Sequence, residues 1–141
     1  MPLDTFGSSS VLDIRVYYED TDTGGVVYYA NYLKFFERGR TEWLRRLGVD
    51  QSEMARREHK GFVVKSVQIQ YCRPARLDDL LTVRSDITRM GPASINFDQK
   101  ALRDGELLCE STIQVCCVDQ NTFRPAAFSR ELRTLLEKVQ K

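Results

Sequence analysis

Apolar residues recur at Tyr32, Phe35, Phe36, Trp43, Leu44 and Leu47, whereas from Gly61 onward the apolar spacing becomes an alternation. The first pattern is the 3.6-residue period of a helix with one buried face, and the second is the two-residue period of half-buried strands. One long helix among many strands leaves few folds open, because each element must bury its apolar side against another. The spacing predicts a helix over 32–47, N-capped by Asn31 and stopped at Gly48, with Gly39 permitting a close approach midway.

The chain around that helix completes the outline. Residues 1–10 are polar and serine-rich, which predicts a flexible tail, and one domain is expected over 11–141. From Val11, the residues Leu12, Ile14, Val16 and Tyr18 alternate with polar neighbours, as in a strand that ends in Glu19, Asp20 and Asp22. After the helix, Asp50 with Glu53 resembles a capping box for a short helix through about Glu58. Strands are then expected over 62–71, closed by Pro74, and over 80–90, closed by Gly91 and Pro92. Runs 93–103 and 106–119 flank Asp104 and Gly105, a strong hairpin signal. Ser129 caps a last amphipathic helix carrying Leu132, Leu135, Leu136 and Val139. The expected class is α+β, with an antiparallel sheet of about five strands and one long helix on its face.

Composition excludes several classes of function. A net charge of +1 gives no global field for nucleic acid, and no apolar run reaches transmembrane length. The first ten residues lack a basic and apolar leader pattern, so a cytoplasmic location is expected. Cys72, Cys109, Cys116 and Cys117 show no metal-ligand spacing, and His59 is the single histidine, so neither a metal nor a cofactor is expected.

The acidic cluster meets a glycine pair, Gly24 and Gly25, a few residues before the helix. Acidic residues at a turn are commonly only solvated. Here they stand beside backbone N–H groups that a helix start leaves unpaired, an arrangement suited to chemistry on a carbonyl. As a calcium loop beginning at Asp20, the sequence would place Asn31 where a glutamate is needed. A dehalogenase-type phosphatase also uses two aspartates after a strand, but Gly24 replaces its usual Thr or Val and the repeated βα units are missing.

The run DTDTGGVVYYANYLKFFERGRTE, from Asp20 to Glu42, resembles the signature of the hot-dog acyl-CoA thioesterases related to 4-hydroxybenzoyl-CoA thioesterase, in particular their Tol-Pal-associated branch. The segment Gln70 to Ala75, with Asp78, Asp79 and Leu80, is similar to that family as well. The resemblance implies a sheet wrapped about a central helix, and a homodimer that pairs into a homotetramer. It also implies hydrolysis of a short-chain or aromatic acyl-CoA. Asp22 is then the catalytic carboxylate, either attacking the thioester or activating water, a choice the sequence leaves open. The N–H near Tyr29 becomes the carbonyl-polarising donor. Many members of that branch carry a histidine at this position, where this chain has Tyr29.

Gly25, Val26, Tyr28 and Asn31 of the motif, with Arg89, are the candidate substrate-binding residues. The basic triplet of the hydroxybenzoyl enzymes is replaced by Gly91, Pro92 and Ala93, which leaves Arg89 as the nearby cation for phosphate. Acyl carrier protein is therefore an alternative thioester donor. A hydratase lacks its usual histidine at this motif. A protein that binds acyl groups or partners without turnover is the alternative from another class.

Overall fold

The computed structural model describes residues 5–6 and 9–141, with side chains from residue 9 onward. In chain order it contains β1 (Thr5–Phe6), β2 (Ser9–Arg15), a single 3₁₀ turn (Tyr18–Asp20), α1 (Asn31–Arg46), α2 (Gln51–Glu58), β3 (Lys60–Tyr71), β4 (Leu80–Met90), β5 (Ser94–Arg103), β6 (Glu106–Asp119) and α3 (Arg130–Val139). The strands form one sheet in the order β1-β2-β4-β5-β6-β3, with every pairing antiparallel. Five are full strands, and β1 adds two residues at one edge.

Local chemistry accounts for the boundaries. Asp104 and Gly105 both take positive φ, 51° and 81°, as a two-residue hairpin turn between β5 and β6 requires. The Asp50 carboxylate accepts from Glu53 N–H at 3.0 Å and the Ser129 hydroxyl from Leu132 N–H at 3.2 Å, which caps α2 and α3. Along β4, Leu81, Val83, Ser85 and Ile87 all face inward, and an irregularity between Ile87 and Arg89 then turns Arg89 outward.

Helix α1 lies against the inner face of the sheet. Trp43, Phe35 and Phe36 are fully buried along its apolar stripe, each such burial stabilising the fold by about 1.5–3 kcal/mol. Gly39 allows the helix to approach the sheet, because a Cβ there would stand 2.9 Å from Val83 Cγ1 and 3.2 Å from both Gln99 Nε2 and Ser85 Oγ. Beneath it, Gln99 donates to the Phe36 carbonyl and to Ser85 Oγ while accepting from Arg40 at 3.0 Å. Arg40 is buried, and its guanidinium lies 5.9 Å from the Phe97 ring centroid. This is the hot-dog arrangement, one antiparallel sheet enclosing a long helix.

Three expectations need correction. The first long strand stops at Arg15 instead of running into Glu19, Asp20 and Asp22, because the chain turns into the 3₁₀ segment Tyr18–Asp20. The flexible tail ends too late: Ser9 and Ser10 already belong to β2, pair with Asp86 and Ser85, and are buried. Residues 1–4, 7 and 8 of that stretch lie outside the described residues. Asn31 is not the N-cap but the first residue of α1. Ala30 occupies the cap without a side-chain bond, and the Asn31 amide reaches back to Asp20.

Candidate active site

The chain leaves β2 at Arg15, makes the 3₁₀ turn, and doubles back over the glycine pair before entering α1. Asp22 N–H donates to the Val26 carbonyl at 2.9 Å, Gly25 N–H to the Asp22 carbonyl at 3.0 Å, and Thr21 bridges Val27. Gly25 supplies the positive φ of 80° that closes this loop. At its tip the Asp22 side chain is exposed and, among the described residues, accepts a single bond, 2.8 Å from Gly24 N–H. Most of its acceptor capacity therefore faces outward, where an approaching substrate or water can use it.

The neighbouring Asp20 is its opposite. Only 3% exposed, it accepts from Tyr17 N–H at 2.8 Å and from Asn31 Nδ2 at 2.9 Å. Two carboxylates two residues apart are thus separated into an exposed one and an interior one.

The loop from Cys72 to Asp79 carries the aspartate loop from outside. Val27 N–H donates to the Ala75 carbonyl, Val26 bridges Arg76, and Ala75 N–H donates to the Tyr32 hydroxyl at 3.1 Å. Burial raises the Tyr32 hydroxyl above its usual pKa, which keeps it protonated. Asp79 fixes the other end of this support through Arg76 N–H and the Arg103 guanidinium, each at 2.8 Å. Partial burial works against its charge, but these bonds outweigh it and hold the carboxyl below the ordinary carboxylate range.

Of the sequence-predicted residues, Asp22, Gly25, Val26, Tyr28 and Tyr29 fall together on this loop, and Asn31 stands at its base. Tyr29 is 72% exposed, and its carbonyl accepts from the Tyr71 hydroxyl at 2.9 Å. Within one chain, Arg89 stands apart from the aspartate loop. It lies nine residues along β4 from Leu80, about 30 Å by strand rise, and Leu80 is the end that pairs with Arg15. The sequence reading missed Tyr71, whose ring packs 6.2 Å from Tyr29 and 5.6 Å from Tyr32 between centroids. Its place at the end of β3, next to Cys72 and Pro74, was the available signal.

A cavity of about 800 Å³ is lined by Glu37, Arg40, Leu44, Val63, Phe97 and Val115 among others, with no residue of the aspartate loop in its wall. It lies under the second half of α1 and reaches β3, a sheet edge on which Val63, Val64, Val67 and Tyr71 are exposed. Among the described residues, no cluster of three or more His, Cys, Asp or Glu side chains has the geometry to hold a metal ion.

Residues 16–136, from the end of the β2 segment into α3, match the model of the thioesterase-like superfamily. The chain belongs to that superfamily. It is 47% identical over 120 residues to the acyl-CoA thioesterase YbgC of Haemophilus influenzae, covering 85% of this chain and 88% of that protein. The acyl-CoA thioesterase YbgC of Helicobacter pylori is 32% identical over 134 residues, covering 89% of this chain and 98% of that one. Among solved structures, a probable thioesterase from Bartonella henselae superposes with a TM-score of 0.82 at 35% identity, over 86% of this chain and 99% of that one. The matched superfamily region contains the whole aspartate loop, α1 and the supporting loop.

Proposed function

We propose that the chain is an acyl-CoA thioester hydrolase in which Asp22 is the catalytic carboxylate. The observation that carries this reading is the placement of an exposed aspartate, tethered among the described residues only at Gly24 N–H, on a loop that runs directly into the N-terminus of α1. Hydrolysis of a thioester requires charge to develop on the carbonyl oxygen, and backbone N–H groups at a helix start meet that charge without reorganising. Tyr29 N–H is the proposed donor. It has no backbone acceptor among the described residues, and its position is set from the other side by the Tyr71 bond to the Tyr29 carbonyl. Asp22 then either attacks the carbonyl carbon, giving a mixed anhydride that water cleaves, or takes a proton from the attacking water. Gly25, Val26 and Tyr28 line the approach.

The acyl group is proposed to bind between two copies of the chain. β3 is a twelve-residue edge strand with apolar side chains exposed, a surface that natural proteins pair or cover. Antiparallel pairing of β3 with its own copy places the Tyr71 end of one strand against the Phe62 end of the other. The Tyr29 loop of one protomer then faces the cavity beside Phe62 and Val63 in its partner. Pairing of two such dimers into a tetramer belongs to the same proposal.

Free thiol release across a panel of acyl-CoA and acyl carrier protein thioesters tests activity, carrier and chain preference together. Asp22→Asn should lower kcat by about 10²-fold or more with little change in KM, since the carboxylate acts mainly in the transition state. An Asp22→Asn enzyme with full activity would sink the assignment and leave Glu37, on the wall of the cavity, as the next carboxylate to test. Binding of acyl-CoA without any release of thiol would favour the non-catalytic reading.

A further inference from the structure

The proposed catalytic loop stands on a pair of buried polar side chains that the reaction itself does not use. Asp20 is 3% exposed and Asn31 fully buried, and the bond between them spans the loop from just before Thr21 to the first residue of α1. Both Asp20 oxygens are committed, Oδ1 to Asn31 and Oδ2 to Tyr17 N–H. The Asn31 Oδ1 atom, by contrast, is buried without a hydrogen-bond partner among the described residues. A rotated amide would turn that oxygen toward the Asp20 carboxylate, oxygen against oxygen, so the orientation is fixed by Asp20 even though it leaves a buried acceptor unpaired.

We infer that Asp20 and Asn31 act as a positioning clamp that sets the distance between the Asp22 carboxylate and the amides at the start of α1. The inference rests on the assignment of Asp22 above. Asp22 follows Asp20 by two residues, and Tyr29 precedes Asn31 by two, so the clamp closes the loop at the same remove from each reacting group. The Thr21–Val27 bridge and the bond from Asp22 N–H to Val26 are the next rungs above it. A buried carboxylate beside a helix N-terminus also has a favourable electrostatic position, so the clamp bond is charge-assisted. Displacement of reacting groups by about 1 Å costs on the order of 10²-fold in rate, which is the lever such a clamp controls.

An exchange of the two side chains tests it. In Asp20→Asn/Asn31→Asp, residue 20 accepts from Tyr17 N–H through its oxygen and donates through its nitrogen to the new carboxylate at residue 31. Every bond and the total charge are therefore kept. Asp20→Asn alone loses the charged bond, and Asn31→Asp alone sets two carboxylates face to face. Each single variant should lower kcat at least about tenfold with KM changed by less than about twofold, and the exchange should return kcat to within about threefold of wild type. Ser85→Ala, which removes a buried bond to Gln99 beneath the middle of α1, serves as the measure of a purely structural loss and should leave kcat per folded molecule unchanged.

Single variants with wild-type kcat overturn the clamp. So does an exchange variant that is as slow as the worse single, or that fails to fold. If the singles fail to fold, the exchange variant alone decides by the same criterion. Asp22→Asn assayed alongside separates the two ideas: full activity there removes the parent assignment, whereas an inactive Asp22→Asn beside fully active Asp20 and Asn31 variants removes only the clamp.

Discussion

Gly24 and Gly25 are neighbours with different reasons to be glycine. Gly25 holds φ at 80° in open space, so Gly25→Ala should lower stability by about 1 kcal/mol or more through backbone strain, read from chemical denaturation. Gly24 lacks that strain, but a Cβ there would come within 3.2 Å of Asp22 Oδ1. Gly24→Ala should therefore push the carboxylate aside and reduce kcat by roughly tenfold while the melting temperature changes little. The cysteines differ in the same local way. Burial first, with the nearby Cys72 and Glu110, pushes the Cys109 thiol up to about 12, and Cys116 and Cys117 are buried as well. Cys72 is exposed, so iodoacetamide at neutral pH should label Cys72 alone in the folded protein, as mass spectrometry of digests would show. Labelling of Cys109 under native conditions would contradict its place in the core.

The elements show which signals the sequence carries and which it does not. β4 and β6 begin and end where the turn residues place them, because proline, glycine and the Asp104–Gly105 pair act through local backbone geometry. The start of α1 was displaced by one residue, since Asn31 fits an N-cap by type and only its partner, Asp20, shows otherwise. The same blindness hid the difference between Asp20 and Asp22, which share charge and sequence context but not burial. It also rules out Asp20→Asn as a neutral comparison for Asp22→Asn. Arg89 reads as a nearby cation, and strand length sets it at the far end of β4 from the aspartate loop of its own chain. The supporting loop yields a pH test. Asp79 has a folded pKa below its reference of 3.8, so its stabilising contribution is present above about pH 4 and is lost as pH falls through the lower, folded value. Asp79→Asn should be less stable than wild type at neutral pH, and the gap should narrow as pH falls below 3.8, followed by thermal melts across the acid range.

At the scale of the whole molecule, the exposed β3 edge and the cavity beside it belong to one surface. Ser66→Pro or Val67→Lys at the middle of β3 should convert the expected dimer to monomer in sedimentation velocity, with loss of turnover, because each proposed site needs a partner's loop. A monomer that retains full turnover would show that each chain carries a complete site. The order of strands in the sheet has a different consequence, for how the protein comes to be active. β4, β5 and β6 are joined by short turns, whereas Ser9 pairs with Asp86 across more than half of the chain and β3 pairs with β6 across the intervening β4 and β5. Local pairings close faster than distant ones. The aspartate loop hangs between β2 and α1, so during refolding the recovery of turnover should lag behind the recovery of sheet signal, and the chain should pass through a stage that is folded in its centre and still chemically silent.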